Sequence, residues 1–180
     1  MDLRIEEASP SDLPFLREML YEGVFWRIHS DRPSYDEALA LPDVRAQLAN
    51  WGQRHGDTAA VAIVASVPVG AAWYRFWSAE DHIGGYVDDG TPVLALAVHR
   101  DHRHRGIGRQ LIRWLIDRAA ACSVAQISLS VSKDNSALQL YRQLGFEEYA
   151  DRGDALTMVR RIRPSAQDLS RSEAPHPGAD

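Results

Sequence analysis

Apolar and polar positions alternate in short runs at the start of the chain and gather into longer apolar blocks in its middle. Leu3 and Ile5 alternate with charged residues up to Ala8, which predicts a first strand ended by Ser9-Pro10. Leu13, Phe15, Leu16, Met19 and Leu20 then recur at helical spacing behind Ser11, the expected N-cap. A second helix is predicted after Pro42, with Val44, Leu48 and Trp51 on its inner face and the proline in the first turn, where a missing N–H is harmless. Between these helices the aromatic stretch from Phe25-Trp26 to Pro33-Ser34-Tyr35 has no period and reads as irregular. Residues 60–67 and 69–77 read as two strands joined by a tight turn at 66–69, and the polar run 78–90 as a loop. Residues 92–99 are almost unbroken apolar, the pattern of a strand covered on both faces. Leu111, Ile112, Leu115, Ile116, Ala119 and Ala120 mark one stripe of a helix, and Ile127, Leu129 and Val131 alternate with serines in a strand over 126–132. Residues 135–144 predict a short helix stopped by Gly145, and Tyr149 and 155–162 supply the last strands.

This order of elements implies one mixed domain over residues 1–163, followed by a flexible tail, 164–180, that lacks periodicity. A single cysteine, Cys122, excludes an internal disulfide and reads as a small apolar filler at the end of a helix. The charged opening has no apolar h-region, and the longest apolar stretch, 59–73, is broken by Ser66, Pro68 and Gly70. A cytoplasmic protein with no membrane partner is therefore expected. The net charge of −5 hides an asymmetry: residues 1–92 balance to −8 and residues 93–163 to +5. A basic half suits an anionic ligand and an acidic half a cationic one, while the acidic total argues against non-specific nucleic-acid binding.

The chemistry concentrates in Val98-His-Arg-Asp-His-Arg-His-Arg-Gly-Ile-Gly-Arg-Gln-Leu111. A buried strand runs into a basic loop, and two glycines open an amphipathic helix. Unsatisfied N–H groups and the positive end of the helix dipole then point at one spot, which makes an anion site. Gly106 and Gly108 remove side chains that would hinder a phosphate, and Arg103, Arg105 and Arg109 add charge. A dinucleotide fingerprint fails, because Leu111 stands where a third Gly or Ala is needed, and no Gly-Lys-Ser/Thr exists for a P-loop. His99, His102 and His104 lie close together, but no further ligands accompany them, so no metal site is expected.

Arg103-x-x-Gly106-x-Gly108 after an apolar strand resembles the pyrophosphate signature of the GNAT superfamily of acyl-CoA N-acetyltransferases. A second block at the right distance is similar to that family's other cofactor segment: Asn135 opens a helix that carries Tyr141 and ends in Gly145-Phe146. The resemblance spans roughly residues 3–162 and is most specific over 94–146. It implies an α+β fold, with a mixed, mostly antiparallel sheet, a splayed central pair of parallel strands, and helices on both faces. It also implies that acetyl-CoA is the co-substrate, without a metal. Its pantetheine arm would pair with the backbone of Leu96, Ala97 and Val98, and its pyrophosphate would be wrapped by Arg103, His104, Arg105, Gly106, Ile107, Gly108 and Arg109. Asn135 is an N-cap by position, and by resemblance also bonds the pantetheine.

Acetyl transfer to an amine requires a deprotonated nucleophile, a donor for the oxyanion and a thiolate able to leave. Tyr141 occupies the position of the family's acid; the alternative is an aromatic that packs beside the cofactor or hydrogen-bonds its sulfur. Many relatives carry a Glu after the Pro at the start of the central strand, but here Pro92 is followed by Val93. Glu80 and Asp88, in the preceding loop, are the substitute candidates for a general base, beside direct capture of a neutral amine. The expected activity is direct transfer from acetyl-CoA to a primary amine, of a small molecule first. Alternatives are a protein or peptide N-terminus or lysine, and a catalytically silent acyl-CoA sensor. Asp31, Asp36, Glu37, Glu80, Asp81, Asp88 and Asp89, interspersed with Trp26, Tyr35, Trp77 and Tyr86, suggest a mouth that favours a cationic acceptor. The family resemblance also admits a homodimer.

Overall fold

The computed structural model describes residues 2–27 and 32–162; the expected tail over 164–180 and Asp31 lie outside them. Among the described residues seven strands form one sheet: β1 (Leu3–Glu7), β2 (Thr58–Val64), β3 (Val67–Arg75), β4 (Val93–Val98), β5 (Gln126–Ser132), β6 (Glu147–Asp151) and β7 (Ala155–Arg161). Their spatial order is β1-β2-β3-β4-β5-β7-β6, and every neighbouring pair is antiparallel except β4 and β5. Five α-helices accompany them among the described residues: α1 (Leu13–Val24), α2 (Tyr35–Ala40), α3 (Pro42–Leu48), α4 (Ile107–Ala121) and α5 (Ala137–Gln143).

Strand alternation divides the interior into two cores. On one face, Leu111, Ile112 and Leu115 of α4 pack on Ala60, Ala72, Tyr74 and Leu94, and α5 adds Tyr141. On the other, Leu16, Met19 and Leu20 of α1 and Val44 and Leu48 of α3 cover Val61, Ala71, Trp73 and Ala97. Neighbours along a strand thus serve opposite cores, which is why β3 and β4 read as continuous apolar runs. The mixed sheet with helices on both faces and one parallel pair matches the expected architecture.

Three local expectations need correction. The β2–β3 turn is centred on Ala65-Ser66, not on 66–69, and both residues adopt positive φ, 48° and 67°. Pro68 therefore stands inside β3, where a register shift between Ala62 and Ile63 accommodates it. The irregular aromatic stretch ends in a short helix, α2, capped by Ser34 and Glu37 through reciprocal bonds of 3.4 and 2.9 Å. Helix α1 begins after Asp12, whose carboxylate accepts from the Ser9 N–H at 2.7 Å, so Ser11 is not its cap.

The end of α3 is tied to the sheet by an interior ion pair. Arg75 and Asp57 have side chains only 1% and 2% exposed and meet through two 2.7 Å bonds. Arg75 also donates to the Ala49 carbonyl at 2.8 Å, and Asp57 accepts from the Gly52 N–H at 2.9 Å. Both charges are thus surrounded by partners, the condition under which burial is tolerated.

Candidate active site

Strand β4 has two unlike edges. Along β3 the register runs without interruption from Val93↔Arg75 to Val98↔Gly70. Along β5 it consists of Val93↔Ser128, with the Ser128 N–H donating to the Pro92 carbonyl at 3.0 Å. Beyond that pair the strands part. The His99 N–H reaches the Val69 carbonyl at 2.9 Å, so by alternation odd-numbered residues of β4 turn their backbone toward β3 and even-numbered ones toward the gap. The Leu96 N–H and carbonyl and the Val98 N–H therefore face a space with no strand in it. The backbone of Ala97 instead belongs to the β3 ladder, which corrects the expectation that all three residues offer main-chain groups to a ligand. Ala97 meets the gap only as a lining residue.

At the end of β4 the chain makes a short 3-10 turn, Arg100–His102, and passes through positive φ at His104 and Gly106 before α4 starts. The first N–H groups of α4, at Ile107, Gly108 and Arg109, have no intrahelical acceptor. The two glycines have different duties. A Cβ on Gly106 would meet nothing within 4 Å, and its φ of +79° is what excludes other residues. A Cβ on Gly108 would stand 3.3 Å from Leu96 Cδ2 and 3.5 Å from Leu140 Cδ2, so here it is space that matters.

The arginines also differ. Arg103 donates from Nε to the Val98 carbonyl at 2.9 Å and approaches Glu22 of α1 at 3.5 Å, which fixes the loop against the strand end. Arg109 donates to Gln143 of α5. Arg105 is exposed and does not line the cavity described next.

That cavity, of about 410 Å³, occupies the splay; apart from Arg105, every residue expected to bind cofactor lines it. Asn135 Oδ1 accepts from the Ala137 N–H at 2.9 Å in the turn that leads into α5, but the helix starts two residues later than expected and its N-cap is Ser136. Tyr141 is 7% exposed, lies edge-on to Phe146 and forms part of the wall. Burial raises its phenol well above the ordinary pKa near ~10, so the hydroxyl stays protonated across the working pH range.

Glu22, Gly23 and Trp26 close the α1 end of the cavity. Of these only Trp26 was singled out in the sequence, as one of the aromatics of the expected mouth; Glu22 and Gly23 were not, because only the docking of α1 on β4, where a Gly23 Cβ would sit 3.4 Å from Ala97 Cβ, brings them there. Glu22 is the one carboxylate of the wall among the described residues, and it takes Arg32 at 2.9 Å as well as Arg103. Just beyond, Arg27 grips Asp134 through bonds of 2.7 and 3.1 Å, linking the end of α1 to the turn after β5; this holds the Asp134 carboxyl below its usual range.

Glu80 and Asp88 do not line the cavity. The Asp88 carboxylate accepts from the Gly90 N–H at 2.9 Å and the Thr91 hydroxyl at 2.8 Å, as turn residues do. Other acids of the expected mouth are similarly occupied: in the same loop Asp81 pairs with Arg54 and Asp89 accepts from Tyr86, and in α2 Glu37 belongs to the helix cap. The expected acidic mouth is therefore not assembled around the cavity by the described residues of that set, and of its aromatics only Trp26 lines it. The loop lies instead across β5, where a Cβ on Gly85 would come within 2.8 Å of the Leu129 and Ser130 backbone. Cys122 is exposed at the end of α4 and so fills no part of the core, contrary to expectation. Among the described residues, no group of three or more His, Cys, Asp or Glu stands together as metal ligands, and no helix is long and apolar enough to cross a membrane.

Residues 60–148 match the family described as "Acetyltransferase (GNAT) domain". Over 80 residues the chain is 35% identical to the [Ribosomal protein bS18]-alanine N-acetyltransferase of Salmonella typhimurium, covering 44% of this chain and about half, 49%, of that relative. Two solved structures with similar folds are yncA, a putative acetyltransferase from Salmonella typhimurium with acetyl-CoA, and a GNAT superfamily phosphinothricin acetyltransferase from Sinorhizobium meliloti in complex with AcCoA. The first has a TM-score of 0.64 at 23% identity, over 92% of this chain and 97% of the other. The second has 0.66 at 20% identity, over 92% and 95%.

Proposed function

Since the chain belongs to the GNAT superfamily, we propose that it transfers an acetyl group from acetyl-CoA to a primary amine. The observation that carries this is the unpaired edge of β4 beside the free N–H groups of α4. An extended amide-bearing arm can add to the Leu96 and Val98 backbone as a strand would, with a pyrophosphate at residues 106–109. Acetyl-CoA supplies the activated thioester. The chain positions it, offers a gap-facing N–H to the carbonyl oxygen as charge develops there, and holds the Tyr141 hydroxyl ready for the departing sulfur. A thiol near pKa ~8.5 leaves readily once hydrogen-bonded, so a phenol kept protonated by burial is suited to that duty.

Glu22 is already engaged by two arginines, and Glu80 and Asp88 stand away from the cavity wall. The acceptor is therefore taken up as its neutral amine. Activity should rise with pH up to the acceptor's own pKa. Tyr141, whose pKa is raised, imposes no alkaline fall until well above pH ~10. The acceptor is the amine of a small molecule, reaching the thioester past Trp26 and the Arg27–Asp134 pair. A peptide α-amine is the second reading, favoured by the identity to the alanine N-acetyltransferase. Steady-state assays against both classes, with thiol release as the signal, decide between them; no turnover of any amine despite acetyl-CoA binding would leave only the sensor. Gly108→Glu should abolish acetyl-CoA binding by placing a carboxylate at the pyrophosphate. Tyr141→Phe should lower kcat by more than about tenfold with acetyl-CoA affinity nearly unchanged.

A further inference from the structure

Two walls of the cavity are joined at its opening by one ion pair. Trp26, just after α1, lines one wall, and Asn135, in the turn after β5, lines the other. Their chain neighbours, Arg27 and Asp134, meet between them: Nε donates to Oδ2 at 3.1 Å and Nη2 to Oδ1 at 2.7 Å. The guanidinium thus holds a carboxylate with two parallel bonds, the geometry in which this group recognises carboxylates. Both side chains are well exposed, 43% and 61%, so water competes for each and the pair exchanges readily.

The two partners are held differently. The Arg27 guanidinium also lies over the Trp26 ring, 4.6 Å from its centre, a cation–π contact that does not need Asp134. Asp134 bonds to no other described side chain and is the more exposed of the two. When the pair opens, Arg27 therefore stays beside the cavity wall and Asp134 leaves. The remaining acids nearby do not take its place. Glu22 is engaged by Arg32 and Arg103, and Asp154 acts on Arg27 only through space, without a bond. What opens is a fork of donors fitted to a carboxylate, next to the route by which an amine reaches the thioester.

We propose that the acceptor carries a carboxylate close to its reacting amine, as a free α-amino acid does, and that Arg27 binds this carboxylate in place of Asp134. This rests on the acetyl-transfer reading given above and names its acceptor class. The exchange trades one carboxylate for another, so the guanidinium keeps an anionic partner throughout. The α-amine, two bonds from the anchored carboxyl carbon, can then turn between Trp26 and Asn135 into the cavity. An acceptor with a second cationic group would instead meet Arg27 as a like charge, and a peptide α-amine lacks the neighbouring carboxylate.

Steady-state kcat/KM for a panel of free α-amino acids, each beside its own α-carboxamide, tests this. Losing the adjacent carboxylate lowers the amine pKa and enlarges its neutral fraction, so reactivity alone favours the amide. The wild type should nevertheless use the acid of its best pair about tenfold better, the size expected for one charge-assisted contact. Arg27→Gln should bring acid and amide within about twofold of each other by raising KM for the acid. Asp134→Asn should widen the preference by lowering that KM, because it removes the competing carboxylate. A merely structural role of the pair would move both variants in the same direction. Calorimetric titration with acetyl-CoA should give one affinity for all three proteins. An amide preferred by the wild type, an acid preference that survives in Arg27→Gln, variants that shift together, or turnover of other amines but of no amino acid would overturn this acceptor class and leave acetyl transfer standing. Failure of the wild type to bind acetyl-CoA, or to acetylate any amine, would overturn that reading and this one with it.

Discussion

Strand β4 joins two regions built for opposite ends. Toward β3 every backbone group of the facing residues is met, both faces are covered by helices, and the Arg75–Asp57 pair secures α3 alongside. Toward β5 one register pair holds the strands together, and the remaining main-chain groups are left to whatever enters the gap. The same apolar hexapeptide, Val93–Val98, serves both edges. Stability and binding are therefore separated by backbone direction, residue by residue, and side-chain type contributes little to that division.

The separation can be broken first on the β3 side. Asp57→Ala leaves the Arg75 guanidinium buried without its carboxylate and should cost about 3–5 kcal/mol of unfolding free energy in urea titrations. The acetyl-CoA affinity of the protein that remains folded should change by less than about twofold. If affinity fell in step with stability, the two regions would be one unit.

On the β5 side, acetyl-CoA at about a hundred times its Kd should add about 2.7 kcal/mol to the unfolding free energy. Amide exchange sharpens the contrast further. The Leu96 and Val98 amides should exchange quickly in the free protein and slow on binding, whereas Ala95 and Ala97 should be protected in both states. Equal behaviour of all four would remove the alternation on which the binding edge rests.

The smallest effect concerns the loop laid over β5. The Tyr86 hydroxyl donates to Asp89 at 2.5 Å, which pushes its pKa up to about 12. Because the folded value is raised, the tie is fully present below pH ~10 and is lost as pH rises through about 12. Asp89→Asn should return the phenol toward its ordinary value in a spectrophotometric titration, without moving acetyl-CoA affinity.

The strand over Gln126–Ser132 was legible to the residue, because serines alternate with apolar side chains and turn signals bound both ends. The phosphate loop and the Asn135–Phe146 block were legible for a different reason, since their glycines and turn residues answer to local backbone needs. The Ala65-Ser66 turn was not, because two non-glycine residues with positive φ carry no local signature. Helix α2 was missed because six residues hold too little of a period, although Ser34-x-x-Glu37 marks its start. Which of Leu96, Ala97 and Val98 turns its main chain to the gap depends on the register with β3, a long-range property. The same holds for Glu22, Gly23 and Trp26, which only the docking of α1 brings to the cavity. The loop acids misled for the opposite reason: charge counts do not reveal that Asp88 and Asp89 are engaged by the turns they sit in.

The direction of β5 has a consequence for how such a chain can vary over time. Antiparallel neighbours are joined by a turn that can grow outward into solvent, and the Ala65-Ser66 corner is a place where inserted residues would leave both strands undisturbed. A parallel neighbour can be reached only by carrying the chain back along the sheet, and α4 makes that return between Val98 and Gln126. Its first turn must then lie at the carboxyl ends of both strands, where the sheet opens. The bend over residues 99–106 is thus fixed at one end by a strand and at the other by a helix, with Arg103 drawn back onto Val98 between them. Lengthening it would move the helix start away from the opening, so insertions should accumulate at the hairpin and be purged from the elbow.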